Sequence, residues 1–76
     1  MKNVIIIDPK ILAGKPIVRG TRISVSLILN LLAHGYTPTR IVQAYPNLKL
    51  SDIIAAIEYS KARIDRERIT ILQFAR

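Results

Sequence analysis

The sequence predicts a small, mainly α fold in which three helices follow a short N-terminal β-arm. Apolar residues recur with helical spacing after Ser24, and residues that start or stop helices divide them into three segments. A β-branched run near the N-terminus is typical of a strand instead. Seventy-six residues suffice for one domain, which we divide into the arm (residues 1–23), the three-helix body (24–68) and an apolar tail (69–76).

The β-arm is predicted to contain two strands. Val4 to Ile7 is a β-branched run that Asp8-Pro9 ends, which indicates a strand followed by a turn. Pro16 to Arg19 is the second predicted strand, because proline suits the first residue of a strand. Lys10 to Ala13 is a loop or one helical turn between them. Two isolated strands are barely stable in water, so pairing within one chain and pairing across a dimer both stay open.

The first helix is predicted to run to His34, with Ser24 or Ser26 as its N-cap and Gly35 just past its end. Its polar positions are Ser26, Asn30 and His34, which form one narrow stripe at i, i+4 spacing. The rest of the helix must therefore be covered on most sides. Its apolar positions are Val25, Leu27, Ile28, Leu29, Leu31 and Leu32.

The second helix is predicted to be short. Thr37-Pro38 indicates its start, because a capping hydroxyl precedes proline at the first helical position. Ile41, Val42 and Tyr45 lie inward, and Pro46-Asn47 ends the helix. With a turn of about four to five residues and the third helix, this segment predicts a helix-turn-helix arrangement with the first helix packed behind.

The third helix is predicted to be capped by Ser51, with Asp52 near its positive end. The predicted buried stripe comprises Leu50, Ile53, Ile54, Ile57 and Ile64. The predicted exposed face comprises Asp52, Ala55, Ala56, Tyr59, Ala62, Arg63 and Arg66. No Asn, Gln or Arg lies in the first two turns, which argues against strong base readout by this helix. The alanines suit contact with thymine methyl groups and close approach of another chain equally well.

The net charge of +7 is concentrated in residues 1–23 and 61–76, whereas the middle of the chain is balanced. This excess favours polyanions such as DNA or RNA, or an acidic protein surface, without choosing among them. Half of the residues are apolar, with one Phe and no Trp. Because so short a chain has a marginal core, this surplus predicts aliphatic surface shared with a second copy in a homodimer.

Composition argues against catalysis and against a membrane span. The chain has no cysteine, and its single histidine, His34, has no second ligand or nearby nucleophile in the sequence. We therefore expect no enzymatic activity, no cofactor and no metal. The longest uncharged stretch, Ile23 to Thr39, is interrupted by serines, Asn30 and His34, so we expect a cytoplasmic protein.

The most distinctive stretch is Gly14-Lys15-Pro16-Ile17-Val18-Arg19-Gly20-Thr21-Arg22-Ile23. Arg19 and Arg22 flank a tight Gly20-Thr21 corner, which predicts a clamp for phosphate or carboxylate groups. The alternative is structural: surface arginines are usually only solvated, and Asp8 is a possible ion-pair partner for either one. Both interpretations stay open.

With this stretch, His34-Gly35, Ala44-Tyr45-Pro46 with Leu48, and Ser51-Asp52-Ile53, the sequence resembles the domain of unknown function 433 family over about residues 4 to 60. The resemblance implies a three-helix, homeodomain-like fold with an N-terminal β-arm, usually dimeric. It also implies a VapB-type antitoxin that neutralises a PIN-like ribonuclease toxin and represses its own operon. The alternative is a free-standing DNA-binding regulator. Ser24 replaces a frequent family proline, and the sequence after residue 65 is not typical of the family.

Two sets of residues are assigned to partners on this basis. Ile69 to Phe74 returns to near alternation, which predicts a strand or a partner-binding arm. Packing on its own domain, pairing across the dimer and addition to a partner's sheet all stay open, and we favour a partner. The residues assigned to operator DNA are Lys15, Arg19, Thr21, Arg22, Arg40, Lys49, Ser51 and Tyr59. The residues assigned to the toxin are Arg63, Arg66, Ile69, Ile71, Leu72 and Phe74.

Overall fold

The computed structural model describes the backbone of residues 4–74 and the side chains of residues 4–64. It confirms a mainly α fold with an N-terminal β-hairpin. The elements are β1 (Ile5–Ile7), a short 3-10 turn (Leu12–Gly14), β2 (Pro16–Val18), α1 (Val25–Ala33), α2 (Pro38–Ala44) and α3 (Leu50–Phe74). Residues 45–49 form the turn of the expected helix-turn-helix order. Within the part of the chain described, no helix combines the length and apolar character that a membrane span requires.

The two strands pair with each other within one chain, antiparallel, with Ile5 opposite Val18 and Ile7 opposite Pro16. Each is one residue shorter than predicted, although the Arg19 N–H still donates to the Val4 carbonyl oxygen at 2.7 Å. Pro16 stands at the first position of its strand, where a missing N–H is tolerated. The hairpin contributes Val18 to the core that it shares with the helices, which supplies the stability that two strands alone lack.

The turn between the strands has a left-handed backbone conformation, which its sequence does not predict. Leu12 and Ala13 have φ angles of +49° and +56°, and Gly14 follows at +82°. The Gly14 N–H donates to the Ile11 oxygen at 3.1 Å, and the Lys15 N–H donates to the Leu12 oxygen at 3.2 Å. A left-handed conformation costs an L-residue roughly 1–2 kcal/mol. The hairpin therefore holds Leu12 and Ala13 in a strained backbone.

Helix α1 begins where the sequence predicts and ends at Ala33, one residue before the predicted end, with His34 as the C-cap. The Ser24 hydroxyl accepts the Leu27 N–H at 3.0 Å, so Ser24 is the N-cap and Ser26 is not. At the other end Gly35 has a φ of +91°, and the Tyr36 N–H donates to the Leu31 oxygen at 3.0 Å. The bond from Tyr36 to Leu31 belongs to a Schellman motif, which satisfies carbonyl groups at the helix end. The predicted polar stripe of α1 is exposed throughout.

Helix α2 and the following turn close the core. The Thr37 hydroxyl accepts the Arg40 N–H at 3.2 Å, with Pro38 in the first turn as predicted. Ile41 points inward and is fully buried, and Leu48 in the turn to α3 is almost fully buried. The core cluster comprises Val18, Ile23, Val25, Ile28, Ile41, Leu48, Ile53 and Ala56.

The predicted orientation of α3 is wrong by roughly a quarter turn of the helix. Ile53 is buried as expected, but Ala56, which was assigned to the exposed face, is fully buried. Ser60 is also buried, one helical turn further along. Four residues of the predicted buried stripe are exposed instead: Leu50, Ile54, Ile57 and Ile64. The small side chains of Ala56 and Ser60 let α3 lie close to α1, with which it is in contact.

Both predicted ends of α3 also require correction. The helix begins at Leu50, so Ser51 lies inside its first turn and is not the cap. Instead, the Asp52 carboxylate accepts the Lys49 N–H at 2.9 Å, the reach-back bond of a capping box. At the other end, Ile69 to Phe74 is helical through Phe74, so the predicted strand is wrong. No Gly or Pro interrupts the segment, and a helix satisfies its own backbone where an unpaired strand would not.

Candidate functional site

Helix α3 carries an exposed aliphatic surface, which we call the α3 stripe: Leu50, Ile54, Ile57 and Ile64. Each side chain is between 38 and 59% exposed. Their spacing places them on one side of the helix, next to the side that packs on α1. Lys61 lies on the same side and is exposed. Single exposed aliphatic residues are ordinary, but an aligned set on one helix is typical of a surface that another molecule covers.

A groove of about 470 Å³ opens beside this stripe, where β2, α1 and α3 meet. Pro16, Val25, Leu29 and Ile64 supply its apolar surface. Its polar members come from three places in the sequence: Lys15 before β2, Ser26 on α1, and Tyr59, Ser60 and Arg63 on α3. The groove therefore combines aliphatic walls with two cationic side chains, Lys15 and Arg63, both of which are exposed.

Tyr59 and Arg63 form one pair along the groove side of α3. The guanidinium carbon of Arg63 lies 5.7 Å from the centroid of the Tyr59 ring. An Arg63 terminal nitrogen also donates to the Tyr59 hydroxyl at 3.4 Å. Because the Tyr59 ring is half-buried, it restricts where the guanidinium group lies. Tyr59 was predicted to contact DNA and Arg63 a protein partner, but the fold brings them to one surface.

Two serine hydroxyls of the groove already have partners. The Ser60 hydroxyl donates to the Ala56 oxygen at 2.8 Å, which leaves its oxygen lone pairs free to accept. The Ser26 hydroxyl lies 3.1 Å from that of Ser24. Ser60 was not predicted to be buried or to border a site, although Ile53, Ala56 and Ser60 recur at helical i, i+3, i+7 spacing. That spacing of small residues was the available signal for the packed side of α3.

The predicted basic residues are exposed but do not converge on one site. Arg19 and Arg22 lie on the corner between β2 and α1, Arg40 lies on α2, and Lys49 lies in the turn before α3. The Arg40 guanidinium carbon lies 5.2 Å from the centroid of the Tyr36 ring. Ser51 is exposed in the first turn of α3. Of the cations assigned to DNA, Lys15 alone borders the groove.

Thr21 has a structural role in the corner between the two arginines. Its hydroxyl donates to the Val18 oxygen at 2.8 Å and accepts the Ile23 N–H at 3.0 Å. Gly20 has a φ of +79°, which glycine adopts without strain. The Asp8 carboxylate, the possible partner of Arg19 or Arg22, accepts the Lys10 N–H at 2.9 Å. The corner that presents the two arginines is therefore built by Gly20 and Thr21.

The remaining residues assigned to the toxin are Arg66, Ile69, Ile71, Leu72 and Phe74. Their backbone belongs to α3, and their side chains lie outside the described residues. His34 lies at the end of α1, where its Nδ1 is 2.7 Å from the Asn30 oxygen. Among the described residues, no group of three or more His, Cys, Asp or Glu side chains is placed to hold a metal ion.

A family model and a solved structure both relate this chain to the same protein family. The model of a family described as protein of unknown function (DUF433) matches residues 5–60. A crystal structure of a DUF433 member protein from Anabaena variabilis is 32% identical, with a TM-score of 0.77 over 87% of this chain and 68% of that one. The uncharacterized protein y4eO of Sinorhizobium fredii is 34% identical over 67 residues, which is 88% of this chain. This chain spans only 30% of the length of y4eO.

Proposed function

This chain belongs to the DUF433 family of proteins of unknown function, and we propose that it is the antitoxin of a type II toxin-antitoxin system. In this proposal the chain is a cytoplasmic homodimer without enzymatic activity. It binds and neutralises a PIN-like ribonuclease, and the same dimer represses its own operon by binding DNA. The observation that carries the proposal is the α3 stripe, an exposed aliphatic surface on a helix that continues to Phe74.

The α3 stripe supports a helix-in-groove mode of binding, in which an apolar helix face enters a hydrophobic groove of the partner. Full burial of a Leu or Ile side chain contributes about 1.5–3 kcal/mol, and those of the stripe are already about half covered. Covering the four together would thus contribute roughly 4 kcal/mol, a millimolar affinity by itself. A tight complex therefore needs the later turns of α3, where the sequence supplies Ile69, Ile71, Leu72 and Phe74.

Exposed cations support the DNA-binding part of the proposal. All of the Lys and Arg side chains between residues 4 and 64 are exposed, and the whole chain carries a net charge of +7. Such a surface attracts phosphates whether or not a toxin is present. The same observation favours the second candidate function, a free-standing DNA-binding regulator without a toxin partner.

The protein-binding part is tested by isothermal titration of the purified chain with the product of any adjacent nuclease-like reading frame. We expect saturable binding and loss of nuclease activity in the complex. Ile54→Asp places a charge in the α3 stripe and should weaken binding at least tenfold, because a desolvated carboxylate is costly. Gln43→Asp adds the same charge on the exposed side of α2 and should bind like the parent.

Equal losses for Ile54→Asp and Gln43→Asp would instead show that net charge, and not the stripe, governs binding. Full inhibition by a chain lacking residues 69–76 would show that the tail does not contribute to binding the toxin. Absence of any nuclease-like partner, together with tight operator binding, would favour the free-standing regulator.

The DNA-binding part is tested by the salt dependence of affinity for the upstream region of the gene. Replacing both Arg19 and Arg22 with Ala should flatten the log–log salt slope by roughly 0.9 per lost phosphate contact. Replacing both Lys10 and Lys61 with Ala removes the same net charge from other exposed positions. A slope that changes equally in the two double variants would return Arg19 and Arg22 to the role of ordinary solvated charges.

A further inference from the structure

We propose that the groove between β2, α1 and α3 binds a small amphipathic carboxylate, with its apolar chain on the aliphatic walls and its carboxylate at Lys15 and Arg63. This site requires neither a toxin nor DNA. Its volume of about 470 Å³ lies in the range of small-molecule sites, roughly 300–1,000 Å³. Such sites typically combine a mostly apolar lining with a few well-placed polar groups.

The walls of the groove specify an apolar body for the ligand. Val25 and Leu29 are one helical turn apart on α1, Ile64 comes from α3, and Pro16 closes the side towards β2. Val25 is buried by the core behind it, so this wall is held in place by the fold. An alkyl or alicyclic group would remove these surfaces from water, whereas a fully polar ligand would leave them exposed.

The charged side chains favour an anionic group. Lys15 and Arg63 both border the groove, and among the residues whose side chains are described, up to Ile64, no Asp or Glu lines it. Arg63 uses one terminal nitrogen on the Tyr59 hydroxyl, which leaves other N–H groups of its planar fork for a carboxylate. The aliphatic walls favour a carboxylate that carries an apolar chain over inorganic phosphate, which would leave those walls exposed to water.

The turn before β2 gives further support, because its backbone is strained shortly before Lys15, which is itself extended. Leu12 and Ala13 adopt positive φ angles, and the Lys15 N–H closes this turn on the Leu12 oxygen at 3.2 Å. Strained conformations of bulky residues persist where the surrounding structure imposes them, and they cluster at ligand sites. Here the strained turn fixes the backbone of Lys15 at the mouth of the groove.

The test titrates the full chain with sodium octanoate, below its micelle concentration and at constant ionic strength, while amide NMR spectra are recorded. We expect saturable shifts at groove residues such as Val25, Leu29 and Ser60. Lys15→Gln and Arg63→Gln should each weaken binding about tenfold, the loss expected for one charge-assisted hydrogen bond. Lys10→Gln, an exposed cation outside the groove, is the matched control and should bind like the parent.

Three other results would each overturn the proposal. The first is the absence of a saturable shift at the groove residues. The second is equal affinity for 1-octanol, which lacks the charge and would show that apolar contact alone is responsible. The third is an equal loss of affinity in Lys10→Gln, which would show attraction to net charge only. Lys10, Lys15 and Arg63 are exposed, so thermal melts should confirm that all three variants fold.

Discussion

Helices α1 and α3 pack against each other but distribute their apolar side chains in opposite ways. Helix α1 buries Val25 and Ile28 and exposes the polar residues Ser26, Asn30 and His34. Helix α3 buries Ala56 and Ser60 and exposes the aliphatic α3 stripe. The large side chains of α1 therefore serve the fold, whereas most of the large aliphatic side chains of α3, up to Ile64, stay exposed. A helix that keeps its small residues for its own core has its large residues free for binding.

The strongest test of this comparison is truncation of an isoleucine on each helix. Ile28 of α1 is completely buried, so Ile28→Ala should lower the free energy of unfolding by about 2–5 kcal/mol through lost burial and a cavity. Ile54 of α3 is 59% exposed, and Ile54→Ala should change it by no more than about 0.5 kcal/mol. Urea denaturation at low protein concentration measures both values. Similar losses would mean that the stripe already contributes to the stability of the free chain.

A second test enlarges the small residues on which the packing of α3 depends. Ala56→Leu should destabilise the fold by about 1–3 kcal/mol, because Ala56 is fully buried and the core is closely packed there. Ala44→Leu, at an exposed position near the end of α2, is the matched control and should be close to neutral. Thermal denaturation compares the two variants. A neutral Ala56→Leu would indicate that α3 rotates easily, and the distinction between its two sides would then weaken.

The smallest expected effect separates the two serines at the start of α1. Ser24→Ala removes the hydroxyl that accepts the Leu27 N–H and should cost about 1 kcal/mol of stability. Ser26→Ala removes an exposed hydroxyl that caps no helix, and its effect on stability should be close to zero. Urea midpoints of the two variants, with equal m-values, give the comparison. A larger loss for Ser26→Ala would reverse the assignment of the cap.

Local signals in the sequence were sufficient to locate the two strands, α1 and α2, but not the ends of α3. Gly35, Thr37-Pro38 and Pro16 each act on the backbone within a few residues, so their effects do not depend on the rest of the fold. The left-handed turn had no such signal, because Leu12 and Ala13 are not residues that favour positive φ. There the closure of the hairpin overrides the preference of the individual residues.

The orientation of α3 depended on information that its own periodicity does not contain. Ile53, Ile54 and Ile57 provide apolar residues on two adjacent sides of the helix, and hydropathy alone favours the larger aliphatic set. Packing against α1 decides between the two sides, and it buries Ala56 and Ser60 beside Ile53. The groove was unpredictable for a related reason: Lys15 and Arg63 are far apart in the sequence and come to border one groove only in the folded chain.

Ile64 belongs to two surfaces, since it is a member of the α3 stripe and also lines the groove. A substitution there that improves one contact alters the other, so the two surfaces cannot diverge independently at this position. Homologues that change partners should therefore change the shape of their groove as well. A comparison of natural variants at the position of Ile64 would reveal whether the two surfaces evolve together.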